Sequence, residues 1–325
     1  MHDIRANTIA SIEFPLKAGR QASETLRELR DQVHRLASDN GIDLAQVLGL
    51  GVGVASGVDD NGVILDHRVL GWRDVPATEI LSEGTDYPVA VDRAQRGMAT
   101  AEAWFGAGVG RNSLAVLLVS DVVGCGLYAD GRAIRGADYV EGHVGHIRVP
   151  NGTQYCDVCH RLGCLHAEVA DQAVAEAALK VIDPSELLAG DTPPTDSTSI
   201  VQRLHALARS GHDQAVNIVK GRAMAIGYGL AIVSAILDPQ LLLLAGATML
   251  DGWDLMRQDI TAGWQTNRPL PFLDRTSEIG LTSFGSNATL VGAASLLLRH
   301  FYITGGIAAD DARRRSGPLP ERVEA

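Results

Sequence analysis

Apolar and polar positions along the chain switch between two periods. From Ala22 to Ala37, Leu26, Leu29, Val33 and Leu36 recur at helical spacing between charged residues, which predicts an amphipathic helix. Val47 to Ala55 (VLGLGVGVA) is a short apolar run broken by glycines and reads as a buried strand. VDDNG, residues 58–62, is a turn. A strand over Tyr87–Asp92 runs into an alanine-rich helix over Ala94–Phe105, closed by the glycines of GAGVG. Two further strands are expected over Ser113–Val119 and Gly124–Ala129, with Asp130-Gly131 as a hairpin signal. The opening IRANTIASIEF alternates loosely and predicts a hairpin or edge strand.

Beyond residue 166 the texture turns helical. Helices are expected over Ala167–Val181, Ser197–Ala208, Asp213–Leu237, Asp251–Trp264 and Ala288–Tyr302, and Gln240–Ala245 reads as a buried strand after the stop at Asp238-Pro239. From Thr304 the chain is polar and unpatterned, including the run Arg313–Arg315, which reads as a solvated tail. Strand–helix alternation of this kind argues an α/β protein in two lobes. The expected division is an N-terminal lobe over 1–110 completed by the helix 288–302, a C-terminal lobe over 111–287, and a disordered tail over 303–325.

Composition narrows the function classes. With 325 residues, 46% hydrophobic and 21% charged, the chain can bury a substantial core. Its 28 basic and 39 acidic residues give a net charge of −11, which argues against direct nucleic-acid binding. The first residues hold no apolar run of signal-peptide length, and the apolar stretch around Ala223–Leu237 is too short to cross a bilayer. A cytoplasmic protein without a membrane partner is therefore expected.

Three of the four cysteines, Cys156, Cys159 and Cys164, fall within nine residues, whereas Cys125 stands apart beside glycines as a small buried apolar side chain. Reduced thiols so clustered suit a metal, and zinc takes thiolate and imidazole in a closed tetrahedron, often through a short C-x₂-C knuckle. Cys156 and Cys159 form the knuckle and Cys164 adds a third thiolate. The fourth ligand must be one of His143, His146, His160 and His166. His160 lies inside the knuckle, where its side chain points away, while His146 sits ten residues before Cys156 with a loop that can fold back.

The segment GHVGHIRVPNGTQYCDVCHRLGCLHAE resembles the zinc motif of the ROK family (repressors, open reading frames and sugar kinases). LGLGVGVASGVDDNG, YPVAVDRAQRGMATAEAWFGAG, GLYADGRAIRGADYVEGHVGHI, LDPQLLLLAGA and NATLVGAASLLL resemble further segments of that family, so the similarity covers about residues 1–302. The resemblance implies the two-lobed actin-like, ribonuclease H-like sugar-kinase fold with a zinc loop. It also implies His146, Cys156, Cys159 and Cys164 as ligands of a structural zinc, a sugar-type ligand in the cleft, and a homodimer. The first knuckle is one residue longer than the family usually shows.

A kinase of this fold needs features that this chain lacks. The family's Asp-x-Gly-Gly-Thr phosphate turn occurs nowhere, and its Gly-Thr-Gly turn corresponds to Ser120, Asp121 and Val122, where valine resists positive φ and the carboxylate repels phosphate. The catalytic base position falls on Ala94 of Asp92-Arg93-Ala94-Gln95, and Asp92 lies two residues too early to replace it. The two sugar-holding glutamates of the family correspond to His143 and His166. No catalytic residue and no ATP are therefore expected. The expected function is the effector-binding core of a sugar-responsive transcriptional regulator, without the winged helix-turn-helix of the family's regulators. A sugar kinase and an interaction protein with a vestigial cleft are the alternatives. Arg93, His143, His146 and His166 are the expected ligand-binding residues, and the gain of Arg93, His143 and His166 points to an anionic sugar derivative.

Overall fold

The computed structural model describes residues 1–304 apart from 15, 17, 18, 189–195 and 269–276. The amphipathic helix α1 (Ala22–Asp39) buries Leu26 and is tied by His34 Nε2 to the Tyr87 hydroxyl at 2.7 Å. Strand β1 (Leu50–Val54) is followed by the hairpin β2 (Val63–His67) and β3 (Trp72–Pro76), then α2 (Ala77–Ser82) and β4 (Val89–Arg93). β1 and β4 pair in parallel with Leu50 opposite Val89, and β4 passes without a loop into α3 (Ala94–Phe105).

The larger sheet has five strands. They are β5 (Ser113–Val119), β6 (Val123–Ala129), β7 (Arg132–Ala133), β8 (Leu241–Ala245) and β9 (Glu278–Leu281), in spatial order β7-β6-β5-β8-β9. β5 runs antiparallel to β6 and parallel to β8. Successive side chains go to opposite faces, as strand geometry requires. Ala115, Leu117, Val119, Leu242 and Leu244 enter the larger core, while Leu114, Val116, Leu241 and Leu243 face Met98 and Ala99 of α3. The larger core is covered by α4 (Leu165–Val169), α5 (Asp171–Val181), α6 (Pro184–Leu187), α7 (Ser197–Arg209), α8 (Asp213–Leu237) and α9 (Ala247–Asn267). Helix α10 (Ala288–Thr304) returns to pack on β1, β4 and α3.

Two glycines fix the geometry around the site. A Cβ on Gly126 of β6 would stand 1.9 Å from the Gln95 carbonyl oxygen, so α3 begins in backbone contact with the sheet. Gly142 has φ +71°, and a Cβ there would meet the Cys125 carbonyl oxygen at 1.9 Å.

Several expectations need correction. The opening residues form the expected hairpin only in minimal form and no edge strand: His2 and Thr8 make an antiparallel bridge, Ile9 N–H donates to the Met1 carbonyl, and the Asp3 carboxylate accepts from the backbone N–H of Arg5 and Asn7 at the turn. The helix expected over Ala167–Val181 breaks at Ala170, which is extended and turns the Asp171 carboxylate inward onto Arg222. α9 starts at Ala247, four residues before its expected start. β2, β3, α2, α6 and β9 were not foreseen. α8 is longer than the apolar stretch read from sequence and is by length and hydropathy a possible membrane span, yet half of that window is buried inside the protein. The expected tail coincides with α10 at residues 303 and 304 and otherwise lies outside the described residues.

Candidate functional site

The loop from His143 to Cys164 gathers four possible metal ligands. His146 ends a single 3-10 turn, Val144–His146, and Cys164 is the residue before α4. The bridges Arg148–Cys164 and Tyr155–Leu162 fold the intervening chain back on itself. His146, Cys156, Cys159 and Cys164 thereby place their ligand atoms within 4.8 Å of one another. His146 Nδ1 lies 3.9 Å from both Cys156 Sγ and Cys164 Sγ, and Cys159 Sγ lies 3.8 Å from Cys164 Sγ. A tetrahedron with zinc–sulfur bonds of about 2.3 Å has edges of about 3.8 Å, so the spacing fits a zinc-sized ion.

The donor chemistry fits as well. Burial, with the neighbouring His166, His143, Arg68 and Arg161, drives His146 down to about 4, so the imidazole is in its neutral, ligating form at pH 7. Burial pushes the Cys164 thiol up to about 12, a penalty that a divalent cation reverses by stabilising the thiolate. His160 takes φ +56° and turns to the Tyr155 hydroxyl, outside the cluster. Arg68, from the turn between β2 and β3, donates through Nη1 to the Val158 carbonyl at 2.7 Å and so ties the first lobe to the knuckle.

Next to this cluster, the end of β4 and the start of α3 carry a buried ionic network. Asp92 takes hydrogen bonds from the Arg93 N–H and from Arg135 Nη2, both at 2.7 Å, and pairs with Arg96. Arg135 also pairs with the exposed Asp60. Glu141 lies between two arginines. Its Oε1 accepts from Arg96 Nε at 3.1 Å and lies 3.3 Å from Arg93 Nη1, and its Oε2 accepts from the Gly136 N–H at 3.0 Å. Ala94 occupies the first turn of α3 with no carboxylate of its own.

The expected ligand-binding residues are thus partly gathered. The rings of His146 and His166 are 5.4 Å apart, and His143 is exposed, its Nδ1 2.8 Å from the Val140 carbonyl. Desolvation, then the Arg93 charge, hold His143 below the usual imidazole range, and burial does the same for His166. Arg93 is near them but only 3% exposed, with its guanidinium turned to Glu141. Arg96, Arg135, Glu141 and Asp60 were missed in the sequence. The i,i+4 spacing of Asp92 and Arg96 was the available signal, whereas Glu141 comes from a loop that only the fold brings in.

At the turn after β5, none of residues 120–122 has positive φ. The Asp121 carboxylate accepts from the Gln172 N–H at 2.9 Å and from the Ser197 hydroxyl at 2.8 Å, so it sits at the N-terminus of α5, where an anion is stabilised.

Residues 11–300 match the ROK family across nearly all of the chain. The chain belongs to the ROK family. ROK relatives of two kinds resemble it. A glucokinase of Halalkalibacterium halodurans is 25% identical over 272 residues, covering 83% of this chain and 82% of its own length. A transcriptional regulator of Mycobacterium tuberculosis is 27% identical over 332 residues, covering 99% of this chain and 70% of its own. A xylose repressor of Caldicellulosiruptor bescii is 27% identical over 187 residues, 56% of this chain and 47% of its own. Among solved structures, a Streptomyces griseus ROK glucokinase in complex with glucose and AMPPNP superposes with a TM-score of 0.77 at 24% identity, covering 92% and 94% of the two chains. The chain therefore has the α/β actin-like fold of the ROK sugar kinases.

Proposed function

We propose that this ROK chain is the effector-binding core of a sugar-responsive transcriptional regulator, binding a small carbohydrate derivative in its cleft without phosphorylating it. The observation that carries the reading is the occupancy of the acid–base position. Ala94 has no proton acceptor, and the nearby Asp92 carboxylate is already engaged by Arg96, Arg135 and the Arg93 N–H, which disfavours it as a replacement base. Asp121 supports the same reading, since a carboxylate in the turn after β5, held at the N-terminus of α5, would repel a nucleotide phosphate there. His146, Cys156, Cys159 and Cys164 would hold one structural zinc, closing the loop that carries His143 and His166. The working form is a cytoplasmic homodimer.

A sugar kinase is the second reading, favoured by the glucokinase whose match spans most of both chains. A melting experiment on the zinc-loaded protein tests the binding part. Ligands that bind the native state alone raise its melting temperature by mass action, about 2.7 kcal/mol at a hundred times Kd. The expected result is a concentration-dependent rise with glucose 6-phosphate or gluconate. No rise with any of a panel of sugars, sugar acids and sugar phosphates contradicts an effector role.

A further inference from the structure

We propose that Arg93 and Arg96 form an anion site now occupied by the chain's own Glu141, and that an anionic sugar derivative binds by taking the place of that carboxylate and releasing residues 134–143. The inference rests on the effector-binding reading and adds to it what the ligand must carry and what its arrival moves.

The charges are arranged for exchange. Arg93 and Arg96 are 3% and 2% exposed, so neither can be left without an anion. Of the two carboxylates that neutralise them, Asp92 is fixed in the middle of a hydrogen-bonded strand pair and is also claimed by Arg135. Glu141 belongs to an irregular segment between β7 and the 3-10 turn, with Tyr139 at φ +57°. That segment is held by backbone bonds at its two ends, Ile134 N–H to Leu127 O at 2.8 Å and Cys125 N–H to Gly142 O at 2.8 Å. It is also held by Arg93 donating to the Glu141 carbonyl, and by Arg135, which pairs with Asp60 and Asp92, so exchange must also loosen these ties. Replacing one carboxylate by another anion conserves charge, so no buried guanidinium is stranded. Removing Glu141 with nothing in its place leaves Arg93 without a carboxylate, since Asp92 still pairs with Arg96.

Two buried atoms show what Glu141 leaves unused. Arg93 Nε and Gln95 Oε1 have no hydrogen-bond partner, although both residues are nearly inaccessible. One is a donor suited to a further anionic oxygen, and the other is an acceptor suited to a hydroxyl. The first turn of α3 has no side-chain cap, which adds free backbone donors and the positive end of a helix of twelve residues. An anionic head answers the Arg93 donor and the helix end, and a hydroxyl answers the Gln95 acceptor. A neutral sugar supplies no counter-charge, and inorganic phosphate supplies no hydroxyl-bearing ring.

The released segment ends at His143, three residues before His146, and carries Tyr139, whose hydroxyl lies 3.2 Å from Asp60 of the first lobe. Exchange at Glu141 is therefore read out as a change in how the lobes are fastened.

The test is calorimetry on the zinc-loaded wild type and Glu141→Gln with glucose 6-phosphate, gluconate, glucose and inorganic phosphate. Hydrogen exchange of 134–143 with and without glucose 6-phosphate runs beside it. Removing the internal competitor's charge should tighten the sugar anion by about tenfold or more and leave glucose unchanged. In the wild type, glucose 6-phosphate should speed exchange in 134–143. Equal anion affinity in wild type and variant, or a segment that becomes more protected on binding, overturns the exchange. Glucose binding without any anion binding overturns it while leaving the effector reading intact. Inorganic phosphate binding as tightly as the sugar anions overturns the assignment of Gln95. Failure of all four probes to bind sinks both readings.

Discussion

At the scale of single residues, the strongest constraints come from side chains whose preferred protonation state conflicts with their burial. Cys156 and Cys164 are each 2% exposed and face His146 and Cys159 at tetrahedral distances. Burial makes the Cys164 thiolate unfavourable there without a cation. Metal analysis of purified protein is therefore expected to give about one zinc per chain, and Cys164→Ser to lose it and melt earlier. Full zinc occupancy in that variant contradicts the ligand set. This cluster was legible in the sequence because its members lie within twenty residues of one another and chemistry limits what such residues do together. The network around Arg93 was not. Arg93 reads as an available cation in the sequence, and nothing local says that Glu141, from a loop beyond β7, returns to neutralise it.

At the scale of elements, helices were located by periodicity, and their ends were displaced wherever a tertiary bond won. Ala170 leaves the helical region because Asp171 must reach Arg222 and Thr248, a buried set made of residues from α5, α8 and α9. β9 escaped notice because four residues are too short for a pattern. The contact of α7 with α9 shows a second buried ionisable group with a measurable consequence. His205 is wholly inaccessible, its Nδ1 lies 2.7 Å from Asp251 Oδ2, and its Nε2 has no partner. Burial is the main cause that holds its proton affinity below the usual imidazole range, with the Arg222 and Arg209 charges adding to it. In the unfolded chain the group titrates near 6.5. Below that pH the unfolded state takes up a proton that the native state refuses, so stability falls with acidification by at most about 1.4 kcal/mol per pH unit from this group. Thermal unfolding between pH 7 and pH 5 should show the decline, and His205→Gln should be less stable at pH 7 but decline less steeply. Identical slopes in wild type and variant would remove His205 from the account.

At the scale of the whole molecule, the α/β plan follows from the alternation of glycine-broken apolar strands with amphipathic helices, and that plan was readable from residue 47 onward. The opening residues pair only with each other, in a hairpin of one bridge around the Asp3 turn, and alternation alone does not say how far such pairing extends. What the fold does with its cleft depends on a few positions that periodicity does not see: Ala94, Asp92, Asp121 and Glu141. Each has a group turned inward on the chain or no functional group at all. The proposed function requires that this site bind a ligand without transferring phosphate. Sugar-dependent ADP release by the zinc-loaded protein, with ATP and glucose, mannose or N-acetylated hexosamines, tests it most directly. The expected rate does not exceed the sugar-free background for any of them. Sugar-dependent turnover that disappears in Asp92→Asn would contradict the claim and make the chain a kinase.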